Sequence, residues 1–161
     1  MELRDACEAD FDRIVELNEG EVQQTSPMDR QRLIELDRLS SFHKVAIVDG
    51  QIAAFLLAMR EGADYDSENY NWFSAHYSRF VYVDRIVVSA EYSGKGIGAR
   101  LYQRLFEQAR SDEAGRIACE YNIEPPNHAS RAFHDRFGFV QVGTQWVAGD
   151  TKRVSLQVAQ L

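Results

Sequence analysis

Apolar positions change period several times along the chain, and each change predicts a new element. Phe11, Ile14, Val15 and Val22 fall at helical spacing, which predicts an amphipathic helix over residues 8–22 after a short strand at Glu2–Arg4. Asn18 lies on the inward face of that helix. Ser26-Pro27-Met28-Asp29 reads as a second helix start, with Ser26 as N-cap and Pro27 at the first helical position. Leu33, Ile34 and Leu36 carry it to about Leu39. His43–Val48 and Gln51–Met59 flank Asp49-Gly50, a hairpin signal. Residues 60–79 show no clear period.

From Val81 the pattern sharpens. An apolar run, Val81–Val88, is followed by a loop holding Gly94, Gly96 and Gly98, and then Ile97, Leu101, Leu105 and Ala109 recur every four residues. A strand is predicted at Gly115–Asn122, broken by Pro125-Pro126. Asn127 then caps a helix whose expected buried side is Ala129, Phe133 and Phe137, with Gly138 as its terminator. Phe139–Val147 and Lys152–Val158 read as two strands joined around Gly149-Asp150. The order β, αα, ββ, β, α, β, α, ββ predicts an α+β fold, a mixed sheet with helices packed on it.

Composition narrows the function classes. At 161 residues a single domain spanning 1–161 is expected. A net charge of -7 argues against a nucleic-acid partner, which needs a basic face. The two cysteines, Cys7 and Cys119, have no metal-ligand spacing and read as reduced thiols, and no metal is expected. No apolar run approaches a membrane span, and with no apolar segment after Met1 the expectation is a cytoplasmic protein that binds no membrane.

The glycine turn is the chemical signal. A strand feeding a glycine-dense turn that opens a helix presents backbone N–H groups and a helix dipole to one point, which suits a phosphate. Gly94-Lys95-Gly96-Ile97-Gly98-Ala99 satisfies the dinucleotide-binding fingerprint, with Glu120 as an acidic partner further on. Three features oppose that reading: Ser89–Ser93 separate the strand from the glycines, helices and a hairpin come first, and no further βαβ unit follows. A P-loop would need Ser or Thr after Gly-Lys, where Gly96 stands.

The stretch Val83-Asp84-Arg85-Ile86-Val87-Val88 followed by Tyr92-Ser93-Gly94-Lys95-Gly96-Ile97-Gly98-Ala99-Arg100-Leu101 resembles motif A of the GNAT (GCN5-related N-acetyltransferase) superfamily. Asn127, Ser130, Phe133-His134 and Gly138-Phe139 resemble its motif B. The resemblance covers the predicted element order over the full length. It implies a central, mostly antiparallel mixed sheet with helices on both faces, and an N-acetyltransferase that uses acetyl-CoA as acyl donor. Acetyl transfer would proceed by direct attack of an amine in a ternary complex.

The resemblance also implies roles for particular residues. The pyrophosphate would lie on the amides of Gly94, Lys95, Gly96, Ile97, Gly98 and Ala99. The pantetheine arm would run beside Ile86, Val87 and Val88, with the Val88 amide polarising the thioester carbonyl. Asn127, Ser130 and His134, at helical spacing, would contact the cofactor. Two positions depart from the family pattern: Ser93 replaces a Gln or Arg, and His134 replaces the Tyr that protonates the departing thiolate. An unperturbed His is only roughly a quarter protonated at neutral pH, so His134 serves as general acid only if nearby carboxylates raise its pKa. Otherwise it is a cofactor contact or a structural side chain.

Glu120 and Asp84 are the candidates for the base that deprotonates the acceptor, each with a surface ion pair as its alternative. The acceptor is a small-molecule or peptide amine. Asn18, Glu21 and the acidic, aromatic segment 60–79 are expected to flank it, and that segment equally suits a solvated loop or a homodimer contact. The two motif departures keep a second function open, a non-catalytic acyl-CoA-binding module.

Overall fold

The computed structural model describes residues 1–21 and 25–161. Its elements are β1 (Glu2–Asp5), α1 (Phe11–Glu19), α2 (Arg30–Leu39), β2 (Phe42–Val48), β3 (Gln51–Arg60), α3 (Glu68–His76), β4 (Val81–Val88), α4 (Ile97–Ser111), β5 (Arg116–Glu124), α5 (His128–Arg136), β6 (Val140–Val147) and β7 (Lys152–Gln160). The seven strands form one sheet in the order β1-β2-β3-β4-β5-β7-β6. β1–β2, β2–β3, β5–β7 and β6–β7 are antiparallel, and β4–β5 is parallel. This is the mixed, mostly antiparallel α+β architecture the sequence predicts.

The chain divides into two compact units, one of residues 1–59 and 83–108, the other of residues 60–82 and 109–161. In the first unit Ile14, Leu33, Leu36, Val45, Phe55, Leu57, Leu101 and Leu105 are buried. The β2–β3 hairpin turns at Asp49 (φ 51°) and Gly50 (φ 76°), the two left-handed residues that a tight hairpin of matched twist requires. In the second unit Tyr70, Phe73, Phe80, Tyr82, Ile117, Phe139 and Leu156 are buried. Here β5 and β7 are covered on both faces. Trp72 of α3 lies against Gly143, whose register partner is Leu156, on the face shared by Glu120. His134 of α5 lies 5.7 Å from the Tyr121 ring, on the opposite face by strand alternation.

Four local expectations change. The first helix runs Phe11–Glu19 behind a short 3₁₀ turn at Glu8–Asp10, and Val22 lies outside the described residues. α2 is capped by Asp29, which accepts the Arg32 N–H at 2.7 Å, rather than by Ser26. Segment 60–79 contains α3, capped by Ser67. On α5 the expected inward side is not the buried one: Ala129 is exposed, Phe133 and Phe137 are half-buried, and His134 is buried.

Candidate active site

The glycine turn belongs to the first unit. Ser93 N–H and Oγ both point back to the Ala90 carbonyl, closing a 3₁₀ turn before the glycines. Gly94 and Gly96 both have φ of 75°, and a Cβ at either would meet no atom within 4 Å. Packing therefore does not select glycine here. The left-handed backbone does, and it leaves the turn's surface bare of side chains. The Gly96 carbonyl accepts from Arg100 N–H and starts the α4 ladder. The N–H groups of Ile97, Gly98 and Ala99 fall in the first turn, where a helix has no acceptors of its own. Lys95 holds its ammonium 5.4 Å from the Tyr92 ring centroid. A turn of exposed amides, a helix dipole and one nearby cation fit a diphosphate.

The end of β4 supplies a second donor. Ser89 N–H bonds the Ala53 carbonyl of β3, so backbone alternation turns the Val88 N–H to the other edge of the strand. Ile86 and Val88 are half-buried, while Val87 is 3% exposed.

Asp84 is not a surface carboxylate. It accepts from Arg85 Nε at 2.7 Å, with both side chains 3% exposed. Arg85 also donates to Asn18 Oδ1, to the Ser26 carbonyl and to Ser26 Oγ, each at 3.1 Å. Asn18 is fully buried and bonds both the Ser26 carbonyl and Thr25 Oγ1. This network fastens residues 25–26 to β4 and explains why Ser26 does not cap α2. Asn18 has a buried structural role here, and Glu21 is exposed.

Glu120 lies in the second unit, in the middle of β5 rather than at its end. It is half-buried. Its two oxygens lie 2.9 and 2.8 Å from the hydroxyl of Tyr82, which is 1% exposed. Tyr82 packs against Tyr70 and Phe73 of α3, at centroid distances of 5.6 and 5.9 Å. α3 is itself pinned to β6 by the Gln145–Asn69 hydrogen bond of 2.8 Å and by Trp72 seated over Gly143. A carboxylate on an aromatic-lined face can take a proton from an ammonium and hold the cation while doing so.

α5 carries the second motif. Asn127 caps it by accepting the Ser130 N–H at 3.2 Å. His134 is 4% exposed and sits among Tyr121, Phe133 and Phe139, at ring distances of 5.7, 5.3 and 5.2 Å. Its Nδ1–H donates to the Ser130 carbonyl at 2.7 Å. Burial lowers the His134 pKa, and this outweighs the upward pulls of the Ser130 hydrogen bond and of Asp135. The ring is therefore neutral at physiological pH, with Nε2 as its lone-pair nitrogen. That is opposite in direction to the shift a general acid here requires. Gly138 takes φ of 81°, the left-handed terminator that the sequence predicts. Cys119 is buried, and burial pushes its thiol well above the usual range, which removes it as a nucleophile.

Sequence reasoning did not single out Tyr82, the Trp72–Gly143 contact or the Arg85 network. Residue order has no local signal for them, because each joins residues at least 38 positions apart.

The acetyltransferase (GNAT) family matches residues 8–139. The chain is 26% identical over 153 residues to the L-amino acid N-acyltransferase MnaT of Escherichia coli, an alignment covering 91% of this chain and 87% of that protein. The crystal structure of Ard1 from Thermoplasma volcanium superposes with a TM-score of 0.82 at 13% identity, over 99% of this chain and 97% of that one. The structure of yncA from Salmonella typhimurium with its cofactor acetyl-CoA gives a TM-score of 0.75 at 20% identity, over 100% and 94%. With its family matched across most of the chain and its glycine turn and sheet laid out as the motifs require, the chain belongs to the acetyltransferase (GNAT) family and is an N-acetyltransferase.

Proposed function

We propose that this enzyme transfers the acetyl group of acetyl-CoA directly to a small-molecule amine of the amino acid class. The observation that carries the reading is the bare left-handed turn at Gly94 and Gly96, opening α4 where the first-turn amides have no acceptor within the helix. When bound, acetyl-CoA supplies an activated thioester. The amides from Gly94 to Ala99 would receive its diphosphate, and Ile86–Val88 would form an apolar wall for its arm. The Val88 N–H stabilises negative charge developing on the carbonyl oxygen. Glu120 takes a proton from the acceptor's ammonium, which the aromatic face of α3 holds until then; the freed amine forms the N–C bond as the C–S bond breaks, and CoA leaves as a thiolate that takes its proton from solvent. Neither cysteine carries an acyl group, so rate acceleration comes from proximity and from these donors.

His134 is assigned a supporting place. A buried neutral imidazole whose Nδ1–H is spent on its own helix does not protonate a leaving thiolate. It anchors α5, and with it Asn127 and Ser130, against Tyr121. The amino acid acceptor is supported by the relative named as an L-amino acid N-acyltransferase, aligned over 91% of this chain.

The test is a panel of free L-amino acids, an N-terminal alanyl peptide and a lysyl peptide, each incubated with acetyl-CoA. CoA release is followed with a thiol reagent and product acetylation by mass spectrometry. Turnover with free amino acids and not with the peptides is expected. Turnover only with the peptides would refute the acceptor class. Tight acetyl-CoA binding without release of CoA on any amine would refute catalysis and identify an acyl-CoA-binding module, the reading that the His134 and Ser93 departures keep open.

A further inference from the structure

Glu120 carries a side chain of three rotatable bonds on a half-buried position in mid-strand, so its backbone position does not by itself fix the carboxylate. Tyr82 is the opposite. Its ring has two torsions, both set by packing: it is 1% exposed, crossed at 73° by Tyr70 and tilted against Phe73. Tyr70 is locked in turn, its hydroxyl donating to the Arg60 carbonyl at 2.6 Å and accepting the Ala63 N–H at 3.0 Å. The Tyr82 hydroxyl therefore occupies a fixed point. From there it meets both oxygens of Glu120, at 2.9 and 2.8 Å, as a bifurcated donor. Parallel pairing of Tyr82 with Ala118 sets the two strands in the register this contact needs.

We propose that Tyr82 is the positioning residue of the reaction: through one hydroxyl it holds the Glu120 carboxylate in the orientation that receives the acceptor's proton. The proposal rests on the reading of Glu120 as the base. Tyr82 touches no reacting atom and acts only through Glu120. α3, which cages the tyrosine, thereby becomes part of the catalytic apparatus as well as a wall.

A double-mutant cycle on kcat tests this with the full chain, acetyl-CoA and whichever amine the panel identifies. Glu120→Gln should lower kcat at least about 100-fold. Tyr82→Phe should lower kcat about 10-fold with the KM for acetyl-CoA unchanged, and the double variant should be no slower than Glu120→Gln alone. A merely structural tyrosine would lower kcat by the same factor in both backgrounds, and that result overturns the proposal. So does wild-type kcat in Tyr82→Phe. Wild-type kcat in Glu120→Gln instead overturns the base assignment. Should Tyr82→Phe not fold, Tyr70→Phe replaces it, since that change loosens the cage without touching Glu120. Its smaller kcat loss should likewise vanish when Glu120 is Gln, and a loss that persists there overturns the proposal.

Discussion

Gly96→Ala separates what the glycine turn does for the fold from what it does for the ligand. The backbone at Gly96 has φ of 75°, and an added methyl group would meet no atom within 4 Å. The folded protein therefore pays only for placing an L side chain in the left-handed region, about 1 kcal/mol. For a chain of 161 residues that lowers Tm by about 2–4 °C. Gly50 has φ of 76° and equally empty surroundings, at a hairpin turn with no assigned ligand, so Gly50→Ala is a matched control. On the ligand side, the methyl group stands where a diphosphate must approach the amides. Losing one charge-assisted hydrogen bond of about 1.5–3 kcal/mol weakens acetyl-CoA binding roughly 10- to 150-fold. Calorimetric titration with acetyl-CoA and thermal melts of the three proteins give both quantities. The expected result is two variants with similar Tm and very different affinity. Equal acetyl-CoA affinity for Gly96→Ala, Gly50→Ala and wild type would refute the placement of the diphosphate.

Arg85→Met should destabilise by about 3–5 kcal/mol in denaturant titrations, because it removes the guanidinium that pairs with the buried Asp84 carboxylate, whereas Asp84→Asn with Arg85→Met should recover most of that loss. Arg4 and the Cys7 N–H hold the buried Asp10 carboxyl down to about 2 from 3.8. Asp10 thus stabilises the fold above pH 4 by about 2 kcal/mol and loses this as pH falls toward 2, a slope that Asp10→Asn should remove from acid-denaturation curves. Burial lowers the pKa of both His134 and His43, so the unfolded chain takes up protons first as pH falls through about 6.5. Stability should decline from pH 7.5 to 5.5, and His134→Phe should flatten part of that decline. An alanine Cβ at Gly143 would lie 2.7 Å from Trp72 Cζ2, so Gly143→Ala should displace α3 and raise the KM for the amine while leaving acetyl-CoA affinity unchanged.

What could be read from residue order was whatever a residue's own backbone or near neighbours decide. Gly50, Gly94, Gly96 and Gly138 each take a left-handed φ, and glycine itself carries that signal. The Val81–Val88 run and the four-residue period of α4 were legible because they are long and strongly apolar. α3 was not: its nine residues bury only Tyr70 and Phe73, and Asn69 and Asn71 interrupt any period.

The remaining differences share one cause, partners that only the folded chain brings together. Ser26 has the chemistry of a cap, yet Arg85, 59 residues away, takes its hydroxyl and carbonyl, and Asp29 caps instead. His134 counts as polar in any helical wheel, yet Tyr121 and Phe139 bury it and hold it neutral. Glu120 could be named as a carboxylate, but its orientation depends on a tyrosine 38 residues earlier. The proposed donor half of the reaction draws largely on backbone amides, which a local motif specifies. The proposed acceptor half draws on side chains that only tertiary pairing brings together. That difference explains why the cofactor is legible in this chain and the amine is not. On the proposed reading the acceptor side is the face of α3 and β5 around Tyr82 and Glu120, where substitutions should change the amine accepted without changing the acyl donor.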